Sequence, residues 1–466
     1  MNVSSTPSAS ASTSLYEHAI FHTLIRSLEW DEVIKRWRIS TNRGDEILAR
    51  FVVMCQGPYN RPKLPGIPGI KDFKGHTFHT ARWDFDYTGG DLHGGLDKIG
   101  DKRIAVIGTG SSGIQAIPHL ARGAKHLTVF QRTPSYVFER ANYPTDPEWV
   151  KSLKPGWRAE RQRNFHNAAF AFYNPGEPDL ICDGWTEVAR NLAAKLNETN
   201  GWAALADPKK FLELKEIEDY KAMERLRQRV EAIVEDPETA EKLKPYYRNM
   251  CKRPVFNDEF LPTFNRDNVT LIDVSETKGV ERITEKGIIA DGVEHEFDCI
   301  VFASGFEITT ASSVSSISRR SPARGNLALR PLGQGLPYPA RNHGARIPEP
   351  LRDRVRSGRC HGCHHADVRA AGRPHRVHHQ TGAVPRGHAR RADVGSRRGW
   401  VQTVRQYSVD NSTFTTECTP GYYNSEGEPN GRSFLGDPFW GGFYELTELL
   451  ENWRSTGDLE GLVLEK

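Results

Sequence analysis

The chain has 466 residues, enough for two or three domains with cores of their own. Its hydrophobic content is 37% and its mean hydropathy -0.59, and no run reaches the roughly 20 apolar residues of a membrane span, so no transmembrane helix is expected. The formal charge of +4 would argue for nucleic acid only if it formed a basic face; instead positions 311–399 hold 18 Arg, no Lys and 4 acidic residues, and the remainder is net acidic, which leaves no nucleic-acid partner to expect.

In chain order, "MNVSSTPSASASTS" has no basic stretch followed by an apolar one, so positions 1–20 read as a disordered tail rather than a secretory signal. Seven scattered cysteines fit a reducing cytoplasm, and no disulfide is expected. Short strands follow: "RWRISTN", a turn at Arg43-Gly44-Asp45, and the apolar run "ILARFVVMCQG" up to Gly57. "PYNRPKLPGIPGI" is a turn-rich connector. From Arg103 the strand "RIAVIG", a Gly-rich turn, the helix "SGIQAIPHLARG" and the strand "HLTVFQRT" make a βαβ unit. Asp146 to Tyr247 is mostly helical by period, an insertion into an α/β domain. "NVTLID" and "GIIADGVEHEFDCIVFASGF" restore strands, and helical patterns return in "WVQTVRQYSV" and "FYELTELLENWRSTG".

The turn "GTGSSG", Gly108, Thr109, Gly110, Ser111, Ser112 and Gly113, has G-x-G-x-x-G spacing after a strand and before a helix. Glycines there permit a tight turn and close backbone approach, while the helix N-terminus offers free N–H groups to a pyrophosphate. The next strand ends in Arg132 and Thr133 where a carboxylate would select NADH, so a 2′-phosphate, and hence NADPH, is preferred.

Upstream, "FKGHTFHTARWD" places Phe73, Gly75, His79, Trp83 and Asp84 in F-x-G-x-x-x-H-x-x-x-W-[PD] spacing. Here the sequence resembles the type I Baeyer-Villiger monooxygenases, flavoproteins that insert one atom of O2 beside a ketone carbonyl. The likeness runs from Phe21 to about Thr310 and again from Trp400 to Leu464. It implies an α/β fold with two dinucleotide-binding domains, FAD and NADPH as cofactors, a small-molecule ketone and O2 as reactants, and an ester or lactone as product. It further implies that Lys252, in "CKRPVFNDEFLPTFNRDNV", helps hold the 2′-phosphate and that Arg253 is the catalytic cation. An always-protonated guanidinium suits the peroxide and oxyanion such chemistry generates. Without the resemblance both would read as surface charges at a strand edge. His79 and Trp83 fall in the linker, and "CQGPYNRP" and "DCIVFASGF" resemble segments that return to the flavin.

By the same comparison, positions 21–100 are a remnant of the FAD domain with its linker, 101–285 the NADPH domain with its helical insertion, 286–310 a return to the FAD domain, and 400–466 its C-terminal part. The family's first βαβ unit, which cradles the FAD pyrophosphate, has no match, so the FAD domain reads as incomplete. Positions 311–399 resemble a GC-rich gene read out of frame and are expected to be disordered: shifting the degenerate codons of Arg346–Arg354 and His375–Thr381 by one base permits an apolar strand and an amphipathic helix. "RCHGCHH", Arg359 to His365, has haem- or zinc-like spacing but lies inside that segment, so no metal is expected. An N- or S-oxidising flavin monooxygenase, and a remnant that binds only NADPH, stay open as other readings.

Overall fold

The computed structural model describes residues 15–55, 59, 61–169, 176–199, 201–202, 208–306, 389–392, 394–407, 412–427, 439, 442–456 and 462–465. Strands β1 (Ile25–Asp31), β2 (Arg36–Thr41) and β3 (Glu46–Ala49) form an antiparallel sheet in sequence order. Trp30 lies opposite Trp37 in that sheet, their rings 5.6 Å apart and edge to face, a favourable cross-strand pair. The strand expected to continue to Gly57 stops at Ala49. β3 is an edge strand, and with Phe51 and Val53 exposed no neighbour among the described residues extends the ladder.

The chain then enters a five-stranded sheet, ordered β4-β13-β5-β6-β9, in which every pair is parallel: β4 (His76–His79), β5 (Arg103–Ile107), β6 (His126–Gln131), β9 (Val269–Asp273) and β13 (Cys299–Phe302). A one-turn helix α1 (Phe85–Thr88) follows β4, and α2 (Ser111–Gly123) joins β5 to β6. Between β6 and β9 stand β7 (Val137–Phe138), α3 (Pro147–Ser152), α4 (Trp157–Ala168), α5 (Glu187–Glu198), α6 (Pro208–Ile233), α7 (Pro237–Leu243), β8 (Val255–Phe256) and α8 (Phe260–Thr263). The helical insertion foreseen between Asp146 and Tyr247 is therefore α3 to α7. After β9 comes the antiparallel meander β10 (Arg282–Ile283), β11 (Gly287–Ala290) and β12 (Val293–Glu296).

Alternation along the parallel strands builds two cores. Ile104, Val106, Leu127, Val129 and Val301 face α2 and α8, packing on Ile114, Ile117, Leu120, Phe260 and Phe264. Ala105, Phe130, Ile300 and Phe302 face the meander, packing on Ile283, Ile288, Ala290 and Phe297. The result is three layers, helix on parallel sheet on meander, with apolar side chains on both faces as a parallel sheet requires. β13 lies inside this sheet, between β4 and β5. All four of its residues are buried, and "CIVF" is the continuous apolar run that a central strand needs.

Helix α2 carries Pro118 in its interior, which has no N–H for the carbonyl of Ile114. Asn257 supplies the replacement, its Nδ2 donating to Ile114 O at 3.4 Å. Asn268 closes the other end, its Nδ2 donating to Ala121 O at 2.9 Å and to Ala124 O at 3.0 Å. The helix that opens at the Gly-rich turn is thus tied to the loops before α8 and before β9.

Near the C-terminus, β14 (Ala389–Ala392) pairs antiparallel with β15 (Leu462–Glu465), and α9 (Val394–Gln406), α10 (Ser412–Glu417) and α11 (Gly442–Ser455) lie between them. Positions 389–392 and 394–399, part of the segment expected to be disordered, are thus strand and helix; the ladder of β14 uses backbone groups that every non-proline residue carries, whatever its side chain. Positions 311–388, including "RCHGCHH", lie outside the described residues, as does the tail up to Ser14.

Leu127 is fully buried between β6 and α2, whereas Val33 is 91% exposed. Leu127→Ala should cost about 3 kcal/mol of stability and Val33→Ala almost nothing, as read from urea midpoints.

Candidate NADPH site and its surroundings

β4, β13, β5, β6 and β9 run in register, so His79, Phe302, Ile107, Phe130 and Ile272 form one row across the sheet. The residues that follow them emerge at the carboxyl edge, where open α/β sheets bind ligands. Gly108 leaves β5 at φ +107°, and a Cβ there would meet Ala303 O at 2.8 Å. A Cβ on Gly113 would meet Gly108 O at 2.3 Å. Both positions need glycine because β5, α2 and the end of β13 converge on one point. Gly110 differs: nothing lies within 4 Å of its would-be Cβ, its backbone is extended, and no side chain caps the helix it opens. Ser111 is exposed and Ser112 half-buried at the first turn of α2. The turn is a cradle of free N–H groups that fits the pyrophosphate of a dinucleotide.

Polar contacts fasten this cradle to the end of β6. Buried Thr109 donates its Oγ1 hydrogen to Gln131 Oε1 at 3.2 Å, with Thr133 O at 3.3 Å as the alternative acceptor. Ser135 Oγ donates to Thr109 O at 2.7 Å, and Gln131 Nε2 donates to Lys242 O at 2.7 Å. Thr133 thus acts here through its carbonyl. Arg132, exposed at the rim, donates from Nη2 to Pro420 O at 3.4 Å. Lys252 Nζ donates to the same oxygen at 3.0 Å and sits 5.9 Å above the Tyr247 ring. Two cations far apart in sequence therefore meet on one acceptor, the arrangement a phosphate dianion would engage with stronger, charge-assisted bonds. Arg253 is directed elsewhere, its guanidinium carbon 5.4 Å from the centre of the Trp185 ring, a ring that stacks on Phe256 at 6.2 Å.

The fingerprint positions divide into structural and unexplained ones. Phe73 packs on the meander core. Gly75 lies so close to Phe73 and Asp298 that a Cβ would meet Phe73 Cζ at 2.5 Å and Asp298 O at 2.8 Å. Trp83 Nε1 donates to Thr88 Oγ1 at 3.0 Å. Asp84 caps α1 by accepting from Tyr87 N at 3.1 Å and lies 3.0 Å from His76 Nε2. The bond from Tyr87 N–H, with help from His76, holds its carboxyl below the usual range. These four residues build the corner that aims β4 into the sheet. His79 ends β4 with Nδ1 accepting from Ala81 N at 3.1 Å. It is only 6% exposed, and its Nε2 is buried without a hydrogen-bond partner among the described residues. Burial pushes its pKa below the ordinary histidine value; the nearby Gly305 carbonyl opposes this in part without reaching hydrogen-bond geometry with Nε2. Its ring meets Phe306 edge to face at 5.8 Å. The segments around Pro62 and Gly305 join directly, Lys63 N donating to Gly305 O at 2.9 Å.

One expectation is overturned. Cys251 and Cys418 are joined by a disulfide, and both are buried. Seven dispersed cysteines gave no pairing signal, since the partners are separated by 167 positions and meet only through tertiary structure. The bond places the residue before Lys252 against the residues before Pro420. Gln131, Ser135, Tyr136 and Pro420 were likewise missed. Only Gln131 and Ser135 carried a signal, by flanking Arg132 and Thr133 at the end of a strand that follows a dinucleotide turn. No cluster of metal-ligating side chains occurs among the described residues, nor any helix long and apolar enough to cross a membrane.

A family model described as flavin-binding monooxygenase-like matches residues 14–153. Pentalenolactone D synthase of Streptomyces exfoliatus is 43% identical over 459 residues, an alignment covering 97% of this chain and 76% of that protein. A Baeyer-Villiger monooxygenase of Streptomyces coelicolor is 39% identical over 454 residues, covering 94% and 72%. Among solved structures, the polycyclic ketone monooxygenase of the thermophilic fungus Thermothelomyces thermophila superposes with a TM-score of 0.76 at 27% identity, covering 98% of this chain and 76% of that one. The chain belongs to the Baeyer-Villiger monooxygenases, flavoproteins that use FAD and NADPH to oxidise ketones.

Two outcomes test this geometry. Gly113→Ala should lower stability by about 2 kcal/mol through overpacking. Gly110→Ala should leave the melting temperature unchanged yet weaken NADP⁺ binding at least about tenfold, since only the ligand meets its methyl group. Separately, a tryptic digest prepared without reductant should contain the peptide Asn249–Lys252 linked to the peptide Gln406–Arg432, and a reductant should separate them.

Proposed function

We propose that the chain binds NADPH through the β5–α2 turn, with Arg132 and Lys252 on the 2′-phosphate, and that Arg253 is the cation that stabilises developing negative charge during oxygen insertion. The convergence of Arg132 and Lys252 on the Pro420 carbonyl, just beyond a glycine cradle at the carboxyl edge of a parallel sheet, carries this reading. When bound, the cofactors of the family supply the hydride and the activated oxygen. The protein's part is to bind, orient and screen. The free N–H groups of Gly110 to Gly113 neutralise the pyrophosphate. Thr109 and Gln131 hold the turn against β6, so that cradle and Arg132 keep a fixed spacing. Arg253 stays protonated throughout, and its stacking on Trp185 limits its orientations, so that its donors are preorganised rather than recruited from solvent. His79, neutral by burial, presents Nε2 on the same edge of the sheet.

The described residues contain one dinucleotide cradle of this kind, and its chemistry fits NADPH. They contain no second one for the FAD pyrophosphate, so no step is derived through the flavin. The substrate is read as a cyclic ketone of more than one ring, giving a lactone. Support comes from the relatives, one described as a polycyclic ketone monooxygenase and another as a synthase of a lactone. The N- or S-oxidising alternative finds no such support.

Arg253→Ala should abolish lactone formation from a bicyclic ketone while NADP⁺ affinity stays within about twofold. Lys252→Ala should weaken NADP⁺ by about tenfold or more, the scale of one charge-assisted hydrogen bond, with little change for NAD⁺. Retained lactone formation by Arg253→Ala, followed by gas chromatography, would refute the catalytic role.

A further inference from the structure

Tyr136 is a fully buried tyrosine in the connection between β6 and β7, four residues beyond Arg132. Its hydroxyl lies 2.7 Å from Lys252 O and 3.1 Å from Asn249 Oδ1, and it accepts from Met250 N at 3.3 Å. A phenol has one proton to give, and the shorter contact assigns it to the Lys252 carbonyl. The main chain of Tyr136 is used as well: its N–H donates to Tyr247 OH at 3.1 Å, and Tyr247 OH donates to Pro134 O at 2.8 Å. The two rings meet edge to face at 5.8 Å. Tyr247 is also the ring under the Lys252 ammonium.

The connector bearing Arg132 and the loop bearing Lys252 are thus joined by four hydrogen bonds through Tyr136 and its ring partner. The loop does not hold this shape by local preference, because Met250 has φ +64°, a left-handed conformation disfavoured for any residue with a Cβ. It is fixed from outside: by the Tyr136 hydroxyl, by Asp219, whose carboxylate accepts from Asn249 N at 2.9 Å, and by the disulfide at Cys251.

We infer that Tyr136 is a positioning residue that sets the spacing between Arg132 and Lys252, and through it the preference for NADPH over NADH. This inference rests on the reading that those two cations hold the 2′-phosphate. Tyr136 is fully buried and acts through the Lys252 backbone. Its burial keeps the phenol protonated, so the bond to Lys252 persists at any working pH. Removing the hydroxyl frees the Lys252 carbonyl and lets the ammonium wander, which weakens a two-cation phosphate grip but leaves the pyrophosphate cradle at Gly108 to Gly113 intact.

The test uses NADP⁺ and NAD⁺ as probes in isothermal titration calorimetry on the full chain, with Tyr136→Phe, which keeps the ring. The expected result is an NADP⁺ dissociation constant raised about fivefold, the scale of one hydrogen bond, with NAD⁺ unchanged within about twofold. In a Lys252→Ala background, Tyr136→Phe should have no further effect on NADP⁺, because the two act as a unit. Tyr247→Phe, which breaks the tie to Pro134, should give the same selective loss, and decides the matter should Tyr136→Phe fold poorly. Parallel weakening of both probes, or a lowered melting temperature with an unchanged NADP⁺-to-NAD⁺ ratio, would show a merely structural role and overturn the inference. If Lys252→Ala alone leaves the ratio unchanged, the 2′-phosphate reading falls and this inference with it. If Lys252→Ala lowers the ratio and Tyr136→Phe does not, only the role of Tyr136 falls.

Discussion

Everything at the carboxyl edge of the sheet depends on the contact of Gly108 and Gly113 with Ala303. Three elements, the end of β5, the start of α2 and the end of β13, approach so closely that a single methylene on either glycine would overlap a backbone oxygen. That approach places α2 flat on the sheet, brings its N-terminus to the edge and leaves Gly110 open to the outside. The apolar faces of β5, β6 and β13 hold the arrangement from both sides. The shape of this turn follows from packing before any ligand is considered.

Charge is then added around this edge by elements that have little else in common. Arg132 comes from the end of β6 and Lys252 from a loop before β8, while the acceptor they share belongs to the segment after α10. Long-range contacts fix the loop that carries Lys252. Its position follows from a buried tyrosine, a carboxylate on α6 and a covalent bond to Cys418. Two cations that share one acceptor need such over-determination, because a lysine on a flexible stem pays rotamer entropy for every position it holds.

The fingerprint around β4 illustrates how a functional signature divides under physical inspection. Phe73, Gly75, Trp83 and Asp84 are each accounted for by packing, close approach, an indole hydrogen bond or a helix cap. They keep the corner rigid. His79 is the member whose buried Nε2 has no such account among the described residues, and it stands at the end of a strand in register with the strand that feeds the glycine turn.

The sequence by itself determined the βαβ unit, the glycine cradle, the cation at the end of β6, the helical insertion and the family, because each is written in local periodicity or fixed spacing that neighbouring residues enforce. Only the tertiary structure decided the rest. It placed β13 between β4 and β5, since four consecutive apolar residues need two neighbours but do not name them. It joined Cys251 to Cys418, and it brought Arg132, Lys252 and Pro420 together through Tyr136. Those contacts link positions separated by scores of residues, and chain proximity at that range is set by how the layers pack, which no stretch of sequence specifies alone.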